Sequence, residues 1–354
     1  MFKETYDNRV NSYRPLISPT ILKEEIPISA ASSELVDVSR KNCENIITGK
    51  DDRLIVVTGP CSIHDCDAAI DYANKLSDLQ KQVDDNLLII MRVYFEKPRT
   101  TIGWKGLIND PHLDNTFDIN NGLRIARKLL IDINTLGLPC GTEFLDVITP
   151  QFIADLISWG AIGARTTESQ IHREMASGLS MPIGFKNGTD GNVQVAVDAL
   201  KAVGHSHQFL GVTDQSLAAI VSTKGNKTCH IILRGSNHGI NFDKESVITA
   251  HNKLNESNLN SRIMIDCSHG NSGKNHLNQP KVVGEILKQI KQNDHICGVM
   301  LESFIEEGNQ ALTSKDDLKY GQSITDACMA WEMTKPLLYN LAEAIENRRD
   351  NKLK

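Results

Sequence analysis

Seven charged side chains stand at the ends of short apolar runs: Arg92, Glu143, Arg165, Lys186, Arg234, Asp266 and Glu302. Cys61 follows another such run by two residues. Taken singly, a charge in that position is as often a chain leaving the core for solvent. Seven together make that reading poor, because charges gathered at one place are costly unless they bind something charged. Four basic and three acidic groups suit an anion held beside a metal ion.

The runs themselves name the elements that must position these groups. Eight β-branched, apolar stretches alternate with longer amphipathic ones: Leu54 to Gly59, Leu87 to Arg92, Pro139 to Glu143, Ala161 to Arg165, Pro182 to Lys186, His230 to Arg234, Arg262 to Asp266 and Gly298 to Glu302. That alternation predicts strands of a parallel sheet with helices between them, and the count fits a closed (β/α)8 TIM barrel, an α/β fold. In such a barrel the C-terminal strand ends converge on one face, where the active site is built. Ala68 to Gln82 reads as a helix, and Leu123 to Gly137 reads as another with Gly137 as its stop. Phe152 to Gly160 reads the same way, with Gly160 as the stop.

Two pieces exceed a minimal barrel. Residues 1–45 form an N-terminal extension, an arm for assembly and regulation, in which SPTILKEEIP predicts a short helix; residues 46–350 form the catalytic barrel. Within the latter, residues 207–228 hold two β-rich runs around a polar turn and predict an inserted β-hairpin between strands five and six.

Bulk properties exclude several classes. The chain has 354 residues, 40% of them hydrophobic, and a net charge of -6 from 38 basic and 44 acidic side chains mixed along it, so it offers no basic stripe to a nucleic-acid backbone. The N-terminus lacks the apolar core of a signal peptide and no apolar run approaches the ~20 residues that span a bilayer, so a soluble, cytoplasmic protein with no membrane partner is expected. Eight cysteines without a C-x-x-C pair argue against a zinc ribbon or a redox motif and for reduced thiols.

The segments GPCSIHD (Gly59 to Asp65), EKPRTTIGWKGLINDP (Glu96 to Pro111), GAIGARTTESQIHREMASGLSMPIGFKNGTDG (Gly160 to Gly191), ILRG (Ile232 to Gly235), DCSHGNS (Asp266 to Ser272), EGNQ (Glu307 to Gln310) and YGQSITDAC (Tyr320 to Cys328), in this order and spacing, resemble the type I DAHP synthases, in the branch that aromatic amino acids inhibit. The resemblance runs from about residue 15 to about residue 347. It implies the first step of the shikimate pathway: condensation of phosphoenolpyruvate with erythrose 4-phosphate and water to give 3-deoxy-D-arabino-heptulosonate 7-phosphate (DAHP) and phosphate.

The resemblance also implies residue roles. One divalent transition metal ion is expected on Cys61, His269, Glu302 and Asp326; a thiolate, an imidazole and two carboxylates could accept manganese, iron, cobalt, zinc or copper. Phosphoenolpyruvate is expected on Arg92, Lys97, Arg165, Lys186 and Arg234, because guanidinium forks grip oxyanions through paired hydrogen bonds. Erythrose 4-phosphate is expected on Lys97, Pro98, Arg99 and Thr100. Lys97, Glu143, Lys186 and His269 are the catalytic candidates, Glu143 as the group that orders the attacking water. An aromatic amino acid effector is expected on Pro150, Gln151, Leu179, Ser180, Phe209, Gly211 and Val221, with Asp7 from a neighbouring subunit's arm. Relatives sensitive to phenylalanine tend to carry serine at position 211 and those sensitive to tyrosine glycine, so Gly211 favours tyrosine. An arm that reaches a neighbour's pocket requires at least a homodimer, and a homotetramer is equally compatible. Two rivals share parts of this pattern: a related phosphoenolpyruvate-dependent 3-deoxy-sugar-acid phosphate synthase, and a catalytically silent amino-acid sensor.

Overall fold

The structure, a computed structural model, describes residue 3, residues 5–99 and residues 102–353. The N-terminal arm carries α1 (Pro19–Glu25), capped by Ser18, and α2 (Ala30–Thr48), capped by Ser29 and closed by Gly49 in the left-handed region. The barrel follows, with strands β1 (Leu54–Gly59), β2 (Leu87–Arg92), β3 (Cys140–Glu143), β4 (Trp159–Ile162) and β5 (Ile183–Lys186). A hairpin, β6 (Gln208–Val212) and β7 (Ala218–Ser222), interrupts the series before β8 (His230–Leu233), β9 (Ile263–Asp266) and β10 (Ile296–Glu302). The connecting helices are α3 (Cys66–Val83), α4 (Ile119–Thr135), α5 (Pro150–Ile153), α6 (Gln170–Gly178), α7 (Gln194–Val203), α8 (Lys244–Glu256) and α9 (Gln279–Ile290), and α10 (Trp331–Leu353) ends the chain.

The eight strands close in the order β1-β10-β9-β8-β5-β4-β3-β2, every neighbouring pair parallel, with β6 and β7 apart as a two-stranded antiparallel sheet. The predicted barrel, its inserted hairpin, the short arm helix and the stop at Gly137, whose φ is +78°, are all present. One expectation fails. Phe152 to Gly160 is not a helix ending on a glycine: helical backbone stops at Leu156, and Trp159 and Gly160 already belong to β4, pairing with Gly141 and Thr142 of β3. Trp159 is wholly buried, so sheet pairing and burial decide the conformation there over the local helical spacing. The fourth strand accordingly begins two residues earlier than expected and leaves Arg165 on the loop beyond it.

Period-two alternation sorts the strand residues into two cores. Leu54 and Val56 of β1 and Leu87, Ile89 and Met91 of β2 join the large cluster under the helices. Ile55, Val57, Leu88, Ile90, Trp159, Ile232, Met264 and Met300 fill the barrel interior, where Cys43, Ile46 and Ile47 of α2 pack against them. The arm's second helix therefore belongs to the barrel's packing. The same parity carried to the strand ends aims Arg92, Arg234, Asp266 and Glu302 inward, because each stands two residues beyond an interior apolar side chain.

Candidate active site

At the mouth of the barrel these ends surround a cavity of about 390 Å³ lined by Arg92, Lys97, Pro98, Arg99, Glu143, Arg165, Lys186, Arg234, His269, Glu302 and Asp326, among others. Cys61 lies behind this wall, fully buried. Of the residues expected to handle substrate or metal, only Thr100 lies outside the described residues.

One wall gathers candidate metal ligands. Donor atoms of Cys61, Glu302 and Asp326 lie within 4.8 Å of one another. His269 stands one step away, with Nε2 3.8 Å from Glu302 Oε1. Its backbone holds φ at +52°, an uncommon region for a residue with a Cβ, and thereby turns the imidazole towards the carboxylates. The other ring nitrogen, Nδ1, is 2.8 Å from Asp266 Oδ2 and 2.7 Å from Ser268 Oγ, and Asp266 Oδ2 also takes Lys186 Nζ at 3.1 Å. A carboxylate behind an imidazole fixes its tautomer and leaves the opposite nitrogen free to ligate.

Lys97 occupies the space between the donors, its ammonium donating to Cys61 Sγ at 2.9 Å and lying 3.5 Å from Asp326 Oδ2. Burial pushes the Cys61 thiol up to about 12, and Glu302 adds to the shift. Asp326 moves the other way: burial opposes ionisation, but Lys97 and the Cys61 hydrogen bond hold it down at about 2. Lys97 and Arg92 supply positive charge to this region, and the donor set of thiol, carboxylates and imidazole itself fits a divalent transition metal.

The rest of the lining is cationic. Arg92 is wholly buried, paired with Glu302 at 2.9 Å, donating to the Pro60 carbonyl at 3.1 Å and stacked 3.6 Å above the Tyr94 ring. Arg234 is buried with Nη1 lacking any hydrogen-bond partner, and its guanidinium is pulled down first by burial and further by Arg165 beside it. Two neighbouring guanidiniums with a donor left over form an incomplete arrangement that an oxyanion completes. Glu143 projects from β3 over Gly163, where a Cβ would come within 2.4 Å of the carboxylate oxygen, so a side chain at that position would displace the Glu143 carboxylate.

Similarity to known proteins now bears on this geometry. Residues 25–339 match the model of the DAHP synthetase I family. The chain belongs to the DAHP synthetase I family. Its relatives include a phospho-2-dehydro-3-deoxyheptonate aldolase, tyrosine-inhibited, of Schizosaccharomyces pombe, 55% identical over 98% of this chain and 96% of the relative. The Phe-sensitive aldolase of Escherichia coli is also 55% identical, over 97% of this chain and 98% of the relative. Among solved structures, the phospho-2-dehydro-3-deoxyheptonate aldolase of Francisella tularensis superposes with a TM-score of 0.94 at 56% identity, covering 96% of this chain and 99% of that one.

The residues expected from the sequence to hold an effector do not line this cavity. Pro150 and Gln151 open α5, Leu179 and Ser180 follow α6, and Phe209, Gly211 and Val221 sit on the hairpin, Phe209 paired with Val221. The hairpin is fastened to α6 by the 2.7 Å Ser177–Thr223 hydroxyl pair and to the arm by Thr20 N–H donating to the Asp214 carbonyl at 2.9 Å. Asp7 lies on the exposed arm and accepts from Tyr13 at 2.8 Å. Sequence reasoning assigned no role to Asp266 beyond ending its run, and none to Tyr94 or Glu96. Asp266 carried a signal in its position; Tyr94 and Glu96 carried none, since what distinguishes them is burial beside charge.

Proposed function

We propose that this chain condenses phosphoenolpyruvate with erythrose 4-phosphate and water to DAHP and phosphate at the barrel-mouth cavity, under feedback by an aromatic amino acid, as 3-deoxy-7-phosphoheptulonate synthases do. The observation that carries the proposal is the pairing of walls in one cavity: Arg165 beside an incompletely satisfied Arg234 on one side, and Cys61, Glu302 and Asp326 within 4.8 Å of one another on the other. One half suits a phosphate, the other a divalent cation next to an aldehyde oxygen.

Arg165, Lys186 and Arg234 hold the phosphoenolpyruvate phosphate, while Arg92 and Lys97 face its carboxylate. Pro98, Arg99 and Thr100 receive the phosphate of the acceptor sugar. Cys61, His269, Glu302 and Asp326 hold one divalent ion, which supplies Lewis acidity at the aldehyde. C3 of phosphoenolpyruvate bonds to the aldehyde carbon, water adds at C2, and phosphate departs by C–O cleavage. Glu143 orders that water, and the cationic wall stabilises charge on the phosphate throughout. Burial opposes the charge of Lys97, but Cys61 and Asp326 beside it hold its ammonium protonated.

For regulation, we favour tyrosine. Gly211 stands across the hairpin from Val221 and Ala219, and the resemblance that pairs glycine at this position with tyrosine sensitivity is what supports the choice. The enzyme works as a homodimer or homotetramer in the cytoplasm; Leu210 and Ile220, paired across the hairpin and 89% and 76% exposed, are the apolar surface that assembly would cover. The test is direct. Phosphoenolpyruvate consumption should require erythrose 4-phosphate, and tyrosine should inhibit at lower concentration than phenylalanine; stronger inhibition by phenylalanine would overturn the effector assignment, and consumption without the sugar would overturn the reaction.

A further inference from the structure

β8 ends at Leu233, so Arg234 stands where the sheet's hydrogen-bond ladder has stopped. Its backbone is nonetheless fully engaged, and so is that of Gly235. Arg234 N–H donates to Asn187 Oδ1 at 2.8 Å, and the Arg234 carbonyl accepts from the Gly270 and Asn271 amides at 3.0 and 3.3 Å. Gly235 N–H donates to Asn241 Oδ1 at 2.7 Å, and the Gly235 carbonyl accepts from Asn187 Nδ2 at 3.0 Å. Three of these four backbone groups are thus held from the loops after β5 and β9, and the fourth by Asn241 of the same loop. The passage is close enough to require glycine at 235, where φ is +71° and a Cβ would come within 2.5 Å of the Asn271 amide nitrogen.

One side chain joins most of this arrangement. Asn187 is wholly buried and directly follows Lys186, the last residue of β5. Besides the bonds already named, its Oδ1 accepts from Asn241 Nδ2 at 3.1 Å and its Nδ2 donates to the Gly188 carbonyl at 2.8 Å. Two bonds to the oxygen and two from the nitrogen use the full capacity of a carboxamide and leave none of it for a ligand. Its own N–H donates to the Ile232 carbonyl at 3.1 Å, and Ile232 pairs with Lys186 across the sheet. One buried amide therefore joins the backbone at Lys186 to the backbone at Arg234, on neighbouring strands about 4.8 Å apart. Lys186 is tied further by Thr167 Oγ1, which donates to its carbonyl at 2.7 Å, and by Asp266, 3.1 Å from its ammonium. What stays unmet is Arg234 Nη1. The backbone is fixed at each polar atom while the guanidinium keeps a donor for an anion.

We infer that Asn187 is a positioning residue, acting through Lys186 and Arg234, that sets the spacing of these two cations to one tetrahedral oxyanion. The inference rests on the phosphate cradle proposed above. It is tested on the full-length, manganese-loaded chain in two ways: calorimetry of phosphoenolpyruvate binding with no acceptor sugar present, and the KM for each substrate. Asn187→Ala should weaken phosphoenolpyruvate binding and raise its KM about tenfold, as expected when several buried hydrogen bonds are lost around a binding group, with a smaller change in kcat. The KM for erythrose 4-phosphate and the affinity for manganese should stay within about twofold, since the bonds of Asn187 go to the phosphate side of the cavity. Asn241→Ala removes one partner of Asn187 and one of Gly235 from a half-buried position, and should weaken phosphoenolpyruvate binding about threefold. An unchanged phosphoenolpyruvate affinity in Asn187→Ala, or in Asn241→Ala should the former fail to fold, overturns the inference. So does a parallel loss of phosphoenolpyruvate, erythrose 4-phosphate and manganese affinity, which would mark a general loosening of the barrel mouth. Absence of phosphoenolpyruvate binding to the unsubstituted chain overturns instead the cradle on which the inference rests.

Discussion

Asp266 shows how one side chain can set the behaviour of several. Burial alone would favour its neutral form, yet His269 and Lys186 hold its carboxyl well below the usual carboxylate range, so it stays charged inside the barrel. It thereby fixes the imidazole proposed to hold the metal and neutralises the lysine proposed to hold phosphate. Asp266→Asn keeps the shape and removes the charge. Metal affinity, measured by competition with a chromophoric chelator, is expected to fall about 10- to 100-fold, in line with the loss of other carboxylates behind ligating histidines. An unchanged affinity would mean that Asp266 serves folding alone. At this scale the sequence was informative where chemistry coincided with position: Arg92, Glu143, Lys186, Asp266 and Glu302 end barrel strands, and Arg234 directly follows one. It was silent on Tyr94 and Glu96, whose character comes from neighbours 50 or more residues away in the case of Thr149 and Asp146.

Among the elements, the interior of the barrel has a polar contact with a pH signature. Trp159 Nε1–H of β4 donates to His230 Nε2 of β8 at 3.0 Å, and His230 Nδ1 lies 3.1 Å from the Ile231 carbonyl, so the ring is neutral with its proton on Nδ1. Burial pushes its pKa down to about 4. The folded chain thus resists a proton that the unfolded chain accepts near pH 6.5. Stability from this group is complete above about pH 6.5 and is lost as the pH falls towards about 4, at a limiting slope of about 1.4 kcal/mol per pH unit. Denaturant midpoints taken across that window should fall for the unsubstituted chain and fall less for His230→Gln; parallel curves would contradict the account. Trp159→Phe should cost about 1–3 kcal/mol, since it leaves a buried acceptor unsatisfied. The eight strands could be read from β-branched runs because both faces of a parallel barrel strand are buried. The start of β4 could not, because Trp159 and Gly160 continue a helical-looking spacing and only their pairing with β3 reveals them as strand.

Considered as a whole molecule, the chain is a barrel with two additions that do different work. α2 packs Cys43, Ile46 and Ile47 into the barrel's interior core, so part of the arm is structural. The hairpin instead presents Leu210, Leu217 and Ile220 outward. Among the described residues, no helix is long and apolar enough to cross a membrane. The assembly proposed above would use the hairpin face, since exposed apolar side chains grouped on one surface suit association with another protein. Leu210→Glu combined with Ile220→Glu is expected to lower the mass seen by sedimentation equilibrium while leaving the barrel folded by circular dichroism; an unchanged mass would place the interface elsewhere. The existence of both additions was legible from length and turn composition, whereas the seating of α2 in the barrel was not, since nothing local distinguishes an amphipathic helix on a barrel's flank from one at its end.

The central claim is that one cavity joins a divalent-metal cluster to a cationic phosphate cradle, and metal removal tests it most directly. Protein stripped with a strong chelator and returned to metal-free buffer should consume no phosphoenolpyruvate in the presence of erythrose 4-phosphate, and manganese should restore turnover in the unsubstituted chain but not in Cys61→Ala. Full turnover by the stripped protein, or by Cys61→Ala, would contradict it.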